Sequence, residues 1–260
     1  MIVNADDYGL NANRNKAIAY CFENTLCSSA TIMANMPGFE EACALGVDNR
    51  FAEHLGVHLV LNEGFPLTDR IKKCDRFCTK EGRLDFDRRF PTLCLGVSEK
   101  QALAEEIRAQ IHRCRKNGIR VSHIDSHHHV HVEWGIVNVL VPIAKEEGIP
   151  YIRIARNILK SKYMVKDVYK SIYNYKLKMN RMAGTKYFGS IDEYLVYMDN
   201  NPDRVDSFEV MVHPQYNGDI LCFSDEINEI ILRNKIKDGK YSWNPVSFYE
   251  MQKNNMKMIA

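Results

Sequence analysis

Ile2-Val3-Asn4-Ala5-Asp6-Asp7-Tyr8-Gly9 is the stretch on which the reading of the fold turns. It opens as a short apolar strand and changes within a few residues into a polar, glycine-ended loop, which puts Asp6 and Asp7 at a strand's C-terminal end. Ala17, Ile18, Cys21 and Phe22 follow at helical spacing, so the first unit is strand, loop and helix. The same order recurs along the chain. Ser28 to Met33 reads as a second strand, with a turn at Pro37-Gly38 and a short helix to Leu45-Gly46. His54 to Leu61 reads as a third, with Leu55, Val57, Leu59 and Leu61 on one face and His54 and His58 on the other.

Residues from about 62 to 97 carry no sustained period and hold Gly64, Pro66, Gly82, Pro91 and Gly96, which predicts a long lid or binding excursion. Ser98-Glu99-Lys100-Gln101 reads as a capping box, and Leu103, Ile107, Ile111 and Cys114 form one apolar stripe ending at Asn117-Gly118. Val121 to Asp125 is the next strand, Ile136 to Glu147 the next helix with Gly148 as its stop, Tyr151 to Ile154 another strand, and Glu209 to Val212 a late strand ending at His213-Pro214. Alternating strands and helices with polar motifs at strand ends predict an α/β protein. Its parallel sheet is a single-domain, TIM-like (β/α) barrel over residues 1–260, closed or nearly closed, with the site at the sheet's C-terminal edge.

Composition narrows the partners. Lys and Arg number 35 against 33 acidic residues, so no excess of positive charge exists to neutralise a phosphate backbone, and nucleic acid is excluded as the main partner. Lysines interleaved with tyrosines between Lys160 and Lys178 read as a solvated helix. The acidic opening lacks the pattern of an export signal, and the apolar run Ile136 to Ala144 is far shorter than the roughly 20 residues of a spanning helix, so a cytoplasmic protein without membrane contact is expected. Eight cysteines in such a chain predict reduced thiols, and the Cys74, Cys78 spacing lacks the second pair that a zinc site needs.

Five of the nine histidines fall in Ser122-His123-Ile124-Asp125-Ser126-His127-His128-His129-Val130-His131. Imidazole is the commonest metal ligand near neutral pH. Along an extended chain His123, Asp125 and His127 share a face, so the carboxylate can fix the tautomer of an adjacent ring. His127 and His131 are also four apart, which pairs them if a helical turn begins there. Two ligand sets therefore remain open. Imidazoles alone leave a cation unbalanced, and Asp6-Asp7 offers carboxylate charge at another strand end. His58, polar within a run of leucine and valine, completes a set of two imidazoles and one carboxylate with positions left for water and substrate.

These segments together resemble the YdjC-like carbohydrate deacetylases, also called chitooligosaccharide deacetylases. The resemblance rests on four motifs in order: the opening Ile2 to Gly9, Gly56-Val57-His58-Leu59, Ser122 to His131, and Glu209-Val210-Met211-Val212-His213-Pro214. It implies a barrel related to polysaccharide deacetylases, a divalent metal described as magnesium, and a homodimer. Carried onto the matching positions, it makes Asp7, His58 and His127 the metal ligands, Asp6 the catalytic base and His213 the acid. Asp125, His123, His129 and His131 then stand behind the ligands or against substrate. Tyr8 departs from the phenylalanine of many relatives, and Met36-Pro37 differs near the sugar pocket.

The activity so implied is hydrolysis of the N-acetyl group of an acetylated amino sugar or short oligosaccharide, releasing acetate. Two alternatives accompany it. One is another barrel metal hydrolase or isomerase acting on a sugar, since fold and ligands do not choose the reaction. The other is a non-catalytic histidine-rich metal-binding protein, which would hold several metals and have no use for the paired aspartates. On affinity grounds two imidazoles suit zinc or another transition metal better than magnesium.

Overall fold

The computed structural model describes residues 1–87, 92–201, 206–238 and 243–259. Its main sheet is built from β1 (Ile2–Tyr8), β2 (Ser29–Ile32), β3 (Leu55–Leu59), β4 (His123–Ser126), β5 (Tyr151–Ile152), β6 (Tyr187–Ser190) and β7 (Phe208–Val212). All seven run parallel, in the order β5-β4-β3-β2-β1-β7-β6. Parallel neighbours need long crossovers, and these supply the helices: α1 (Ala12–Glu23), α2 (Phe39–Asp48), α3 (Asp69–Lys72), α4 (Val97–Lys116), α5 (Trp134–Glu146), α6 (Met164–Met179) and α7 (Ile191–Asn200). A hairpin of β8 (Gln215–Asn217) and β9 (Ile220–Cys222), then α8 (Glu229–Lys237) and α9 (Phe248–Ile259), complete the chain. Covered on both faces, β1, β3 and β7 are buried at every position.

The sheet curls into an incompletely closed barrel. The segments around its two edge strands meet through isolated bonds rather than a ladder: the Ile152 N–H of β5 donates to the carbonyl of Met182, ahead of β6, at 2.9 Å, and the N–H of Asn157, beyond β5, to the Phe188 carbonyl of β6 at 3.0 Å. Across the interior, Arg153 at the end of edge strand β5 touches Asp6 of β1, Asp125 of β4 and Glu209 of β7. A flat sheet in this strand order would hold those residues far apart.

Several local expectations change in detail. The third strand begins at Leu55, and His54 lies below it in a 3-10 turn, Ala52–His54, edge-on to Tyr249 rather than beside His58. The stripe of α4 is buried as predicted, but Ser98 is not the cap. The carboxylate of Glu99 instead accepts the N–H of Gly96 at 2.7 Å, because the helix starts one residue earlier, at Val97. The fourth strand starts at His123, since Val121 takes φ +51. The excursion after residue 62 has its own packing. Ile71, Phe77, Leu84 and Phe86 join the core, and Glu106 of α4 accepts the N–H groups of Leu67 and Thr68. Residues 88–91 of that excursion, including Pro91, lie outside the described residues. The lysine and tyrosine segment forms α6. All eight cysteines are free thiols. Among the described residues, no helix is long and apolar enough to cross a membrane.

Candidate active site

Strands β1, β3, β4, β5 and β7 end at one rim, where a hollow of about 620 Å³ is lined by Asp6, Asp7, His58, His127, Arg156 and His213 among others. Neighbouring residues of a regular strand point to opposite faces, so a plain strand would send only one of the paired aspartates inward. Asp7 adopts φ +65, and the register of β1 against β2 shifts between Ala5 and Tyr8. That break turns both carboxylates into the hollow, in a conformation that aspartate tolerates better than most residues.

His58 lies opposite Asp125 in the β3–β4 register. Its Nδ1 is 2.7 Å from Asp125 Oδ1, while the Thr31 hydroxyl donates to Asp125 Oδ2 at 3.0 Å. The opposite ring nitrogen, Nε2, stands 3.2 Å from Asp7 Oδ1, so both nitrogens of His58 face carboxylates. His127 places Nδ1 2.9 Å from the same Asp7 oxygen, and its Nε2 lies 2.9 Å from Glu63 Oε2. Asp7, His58 and His127 thus offer one oxygen and two nitrogens within 4.8 Å of one another. Burial works against charge here, yet hydrogen bonds from His127 and His58 hold the Asp7 carboxyl far below its ordinary range. Burial alone would lower His58, but Asp125, Asp7 and Asp6 push it up to about 10. Such a nest of negative charge favours a cation at its centre.

The second aspartate has a different partner. Both terminal nitrogens of Arg153 lie 2.7 Å from the oxygens of Asp6; Nη1 is also 2.6 Å from Asp125 Oδ2, and Nε is 2.6 Å from Glu209 Oε1. The guanidinium is fully buried, 4.7 Å over the Phe188 ring. Burial opposes ionisation of Asp6, but the charge and bonds of Arg153 hold its carboxyl well below the usual range. Glu209 goes the other way: burial raises it to about 7 against the pull of Arg153, and Asp125 and Asp6 add to the rise. One cation cannot neutralise three buried carboxylates, and the doubly bonded Asp6 takes the larger share. Asp6, His58 and Asp125 also converge as a possible ligand group, but two of those three already ligate Arg153.

His213 follows β7 at the same rim. Its N–H donates to the Phe223 carbonyl at 3.0 Å, and its own carbonyl accepts from Arg14 Nη1 at 2.7 Å. Burial lowers the imidazole, against the charges of Asp6 and Asp7.

A family model described as YdjC-like protein matches residues 1–242. The chain belongs to that family. A carbohydrate deacetylase of Clostridium beijerinckii is 32% identical over 221 residues, covering 83% of this chain and 81% of the relative. One of Halalkalibacterium halodurans is 30% identical over 223 residues, covering 85% and 87%. Among solved structures, the "putative cellobiose-phosphate cleavage protein" of Enterococcus faecalis covers 96% of this chain and 97% of its own at a TM-score of 0.67; at 21% identity it speaks for the fold alone.

In this YdjC-like chain the histidine segment is divided among separate tasks. His127 leaves the strand and opens a 3-10 turn, His127–Val132, in which His128 and His129 take left-handed backbone angles. The sharp turn carries His131 away from Asp7: its Nδ1 lies 2.5 Å from Ser126 Oγ, so the pairing of His127 with His131 as ligands is not assembled. His129 lines the hollow, 3.5 Å from Arg156 Nη2. His123 sits beneath the site rather than beside a ligand, stacked on Phe248 and bonded through Nε2 to Asn4 Oδ1, and the Asn4 amide in turn donates to Asp6. Gly56 makes room for that ring, since a Cβ there would lie 2.6 Å from His123 Nδ1. Asp125 serves an imidazole, as expected, but that of His58 across the sheet instead of a neighbour on its own strand. Sequence reading missed Arg153, Glu63 and Glu209. A charge inside Tyr151-Ile152-Arg153-Ile154 was the available sign for Arg153, and another inside Phe208-Glu209-Val210 for Glu209. Glu63 sits in a segment without periodicity and had none.

Proposed function

We propose that this chain is a metal-dependent hydrolase that removes the N-acetyl group of an acetylated amino sugar or short, chitooligosaccharide-like oligosaccharide, releasing acetate. The observation that carries this reading is the division of labour between adjacent carboxylates, Asp7 facing two imidazoles and Asp6 facing Arg153. The carbohydrate deacetylases among its relatives support it.

The residues fit a divalent cation. Asp7 Oδ1, His58 Nε2 and His127 Nδ1 would supply one carboxylate charge and two imidazole nitrogens that give up their protons when the ion binds, and Asp125 and Glu63 orient the two rings from behind. When bound, such an ion supplies Lewis acidity, polarising the acetyl carbonyl and easing deprotonation of the attacking water. Asp6, kept ionised by Arg153, accepts the proton of that water. His213, across the hollow, gives a proton to the amide nitrogen as the carbon–nitrogen bond breaks, which an amine leaving group requires. Asp6 then returns its proton to solvent and His213 regains one, so the sum is water and amide to acetate and amine. The resemblance names magnesium, whereas the donor set suits zinc, manganese, cobalt or iron on affinity grounds.

His129 and Arg156 are read as substrate contacts. Residues 1–260 are read as one domain, with the excursion from about 62 to 97 as its binding segment. The contacts of Asn62 with His128 and of Glu63 with His127 support that reading.

The deciding experiment measures metal content in protein purified without added metal, then acetate and free amine from a panel of N-acetylated sugars. Equal yields of both, scaling with metal occupancy, are expected. A rearranged sugar without acetate points to an isomerase, and several metals per chain with no turnover points to a metal-storage role.

A further inference from the structure

Arg14 enters the hollow from the first turn of α1 and lies between the two halves of the proposed reaction centre. Its Nη1 donates to the His213 carbonyl at 2.7 Å and stands 3.5 Å from that of Pro214, while Nη2 is 3.9 Å from Asp7 Oδ2. The turn that carries it is fixed on both sides. The Arg14 N–H donates to the Asn11 side chain at 3.0 Å, and Asn13 exchanges two hydrogen bonds with the backbone of Tyr216, at 2.8 and 3.0 Å. A guanidinium held in this way is in place before any ligand arrives.

What distinguishes Arg14 is how little negative charge is bonded to it. Arg153 grips three carboxylates, and Arg156, also at the hollow, lies 3.6 Å from Glu193 Oε2. The hydrogen bonds of Arg14 go to carbonyl oxygens, which carry no net charge, and 3.9 Å to Asp7 is longer than a hydrogen bond. Its side chain is only 16% exposed, so water screens the charge poorly. Burial works against that charge, and Asp7 and Asp6 are the anions that sustain it. Asp6 is already bonded to Arg153, and Asp7 is the proposed metal ligand. Once Asp7 is committed to a cation, Arg14 is left to attract an anion of its own. Two N–H groups along one edge of a guanidinium match the two oxygens of a planar carboxylate.

We propose that Arg14 binds the carboxylate of the acetate product. The bond to be cut lies between the ligand group and the group that protonates nitrogen, and Arg14 reaches toward both, to Asp7 and to the backbone of His213. Negative charge grows on the acetyl oxygen as water adds, so a group that holds the product also favours the reaction. The inference rests on the proposed deacetylation for the identity of the anion, while the site itself is tested by binding alone.

Saturation-transfer NMR measures acetate binding to the full chain with zinc added, at constant ionic strength, and inorganic phosphate serves as a competing probe. Arg14→Gln is expected to lose affinity for acetate by about tenfold or more, and Arg14→Lys, which keeps the charge without the fork, by less. Metal affinity separates this role from a structural one. Removing a positive charge 3.9 Å from Asp7 is expected to leave zinc bound as tightly as in the wild type, or more tightly. Acetate affinity indifferent to both substitutions overturns the proposal. So does phosphate held at Arg14 in preference to acetate, which would reassign the group to an anionic substituent of the sugar, and so does weaker zinc binding in both variants, which would make Arg14 a support for Asp7. Acetate bound through Arg14 in a protein that releases none from any N-acetyl sugar leaves the site standing and removes the deacetylation. Acetate released by a protein whose affinity for it ignores Arg14 does the reverse.

Discussion

Arg153 holds Asp6 with both terminal nitrogens, each 2.7 Å from a carboxylate oxygen, while one residue further on Asp7 turns to His58 and His127. Two chemically identical side chains thus acquire different partners from their surroundings. The left-handed turn at Asp7 makes this possible by bringing both to the same side of the sheet.

Arg153→Lys keeps a positive charge but loses the two-pronged grip. Burial then raises the Asp6 carboxyl from its depressed position. A base works only when ionised, so activity falls as pH drops through its pKa, and raising that pKa moves the acid limb to higher pH. We expect kcat/KM to decline at a higher pH in Arg153→Lys than in the wild type. An acid limb that stays in place would remove Arg153 from the control of Asp6. Arg153→Met is expected to fold poorly, since breaking a buried ion pair costs about 3 to 5 kcal/mol.

Asp7→Asn and Asp6→Asn separate the proposed ligand from the proposed base. Asp7→Asn removes the charge of the ligand group and is expected to lower metal affinity at least about tenfold. Asp6→Asn is expected to retain metal and to lose about 10²- to 10⁴-fold in kcat. Titration of both variants by a metal indicator gives the answer directly, and the reverse pattern would exchange the two roles.

Most of the barrel was legible because parallel strands and their crossovers leave periodic apolar patterns: Leu103, Ile107 and Ile111 announce α4, and Leu55, Val57 and Leu59 announce β3. Asp7, His58 and His127 were legible because polar residues at strand ends interrupt those patterns. What stayed hidden depends on closure. Arg153 comes from an edge strand and acquires meaning only when the curled sheet brings β1, β4 and β7 around it. Sequence spacing likewise could not decide between His127 and His131. Their separation rests on the left-handed angles at His128 and His129, which no periodicity encodes.

Glu63→Gln tests whether the excursion contributes to the metal group. Glu63 Oε2 lies 2.9 Å from His127 Nε2 and holds the ring with Nδ1 toward Asp7. Partners of this kind are worth about 10- to 100-fold in metal affinity. We expect weaker binding in Glu63→Gln with little change in rate once the site is saturated. Unaltered affinity would leave Glu63 a surface carboxylate with no part in ligation.

The Tyr8 ring is fully buried, with its hydroxyl unpaired among the described residues. Removing an unsatisfied buried hydroxyl is neutral or favourable by about 1 kcal/mol. Tyr8→Phe is therefore expected to hold or raise the melting temperature by about 2 to 4 °C. A clear fall would reveal a partner for the hydroxyl.

His213 is the group whose proposed role the leaving group can test. It borders the hollow at the end of β7, with its backbone pinned by Phe223 and Arg14, so replacing the ring disturbs little of the main chain. Burial lowers its imidazole, which makes the protonated ring a stronger acid toward a departing amine while reducing the fraction that is protonated. An amine is a poor leaving group without a proton, whereas an activated phenolate departs unaided. His213→Ala is expected to cut hydrolysis of an N-acetyl sugar by about 10²- to 10⁴-fold and hydrolysis of an aryl acetate much less. Both rates come from one preparation with metal content measured, so loss of the cation cannot imitate the effect. Equal losses on the two substrates would make His213 a positioning residue, and no loss on either would take it out of the reaction.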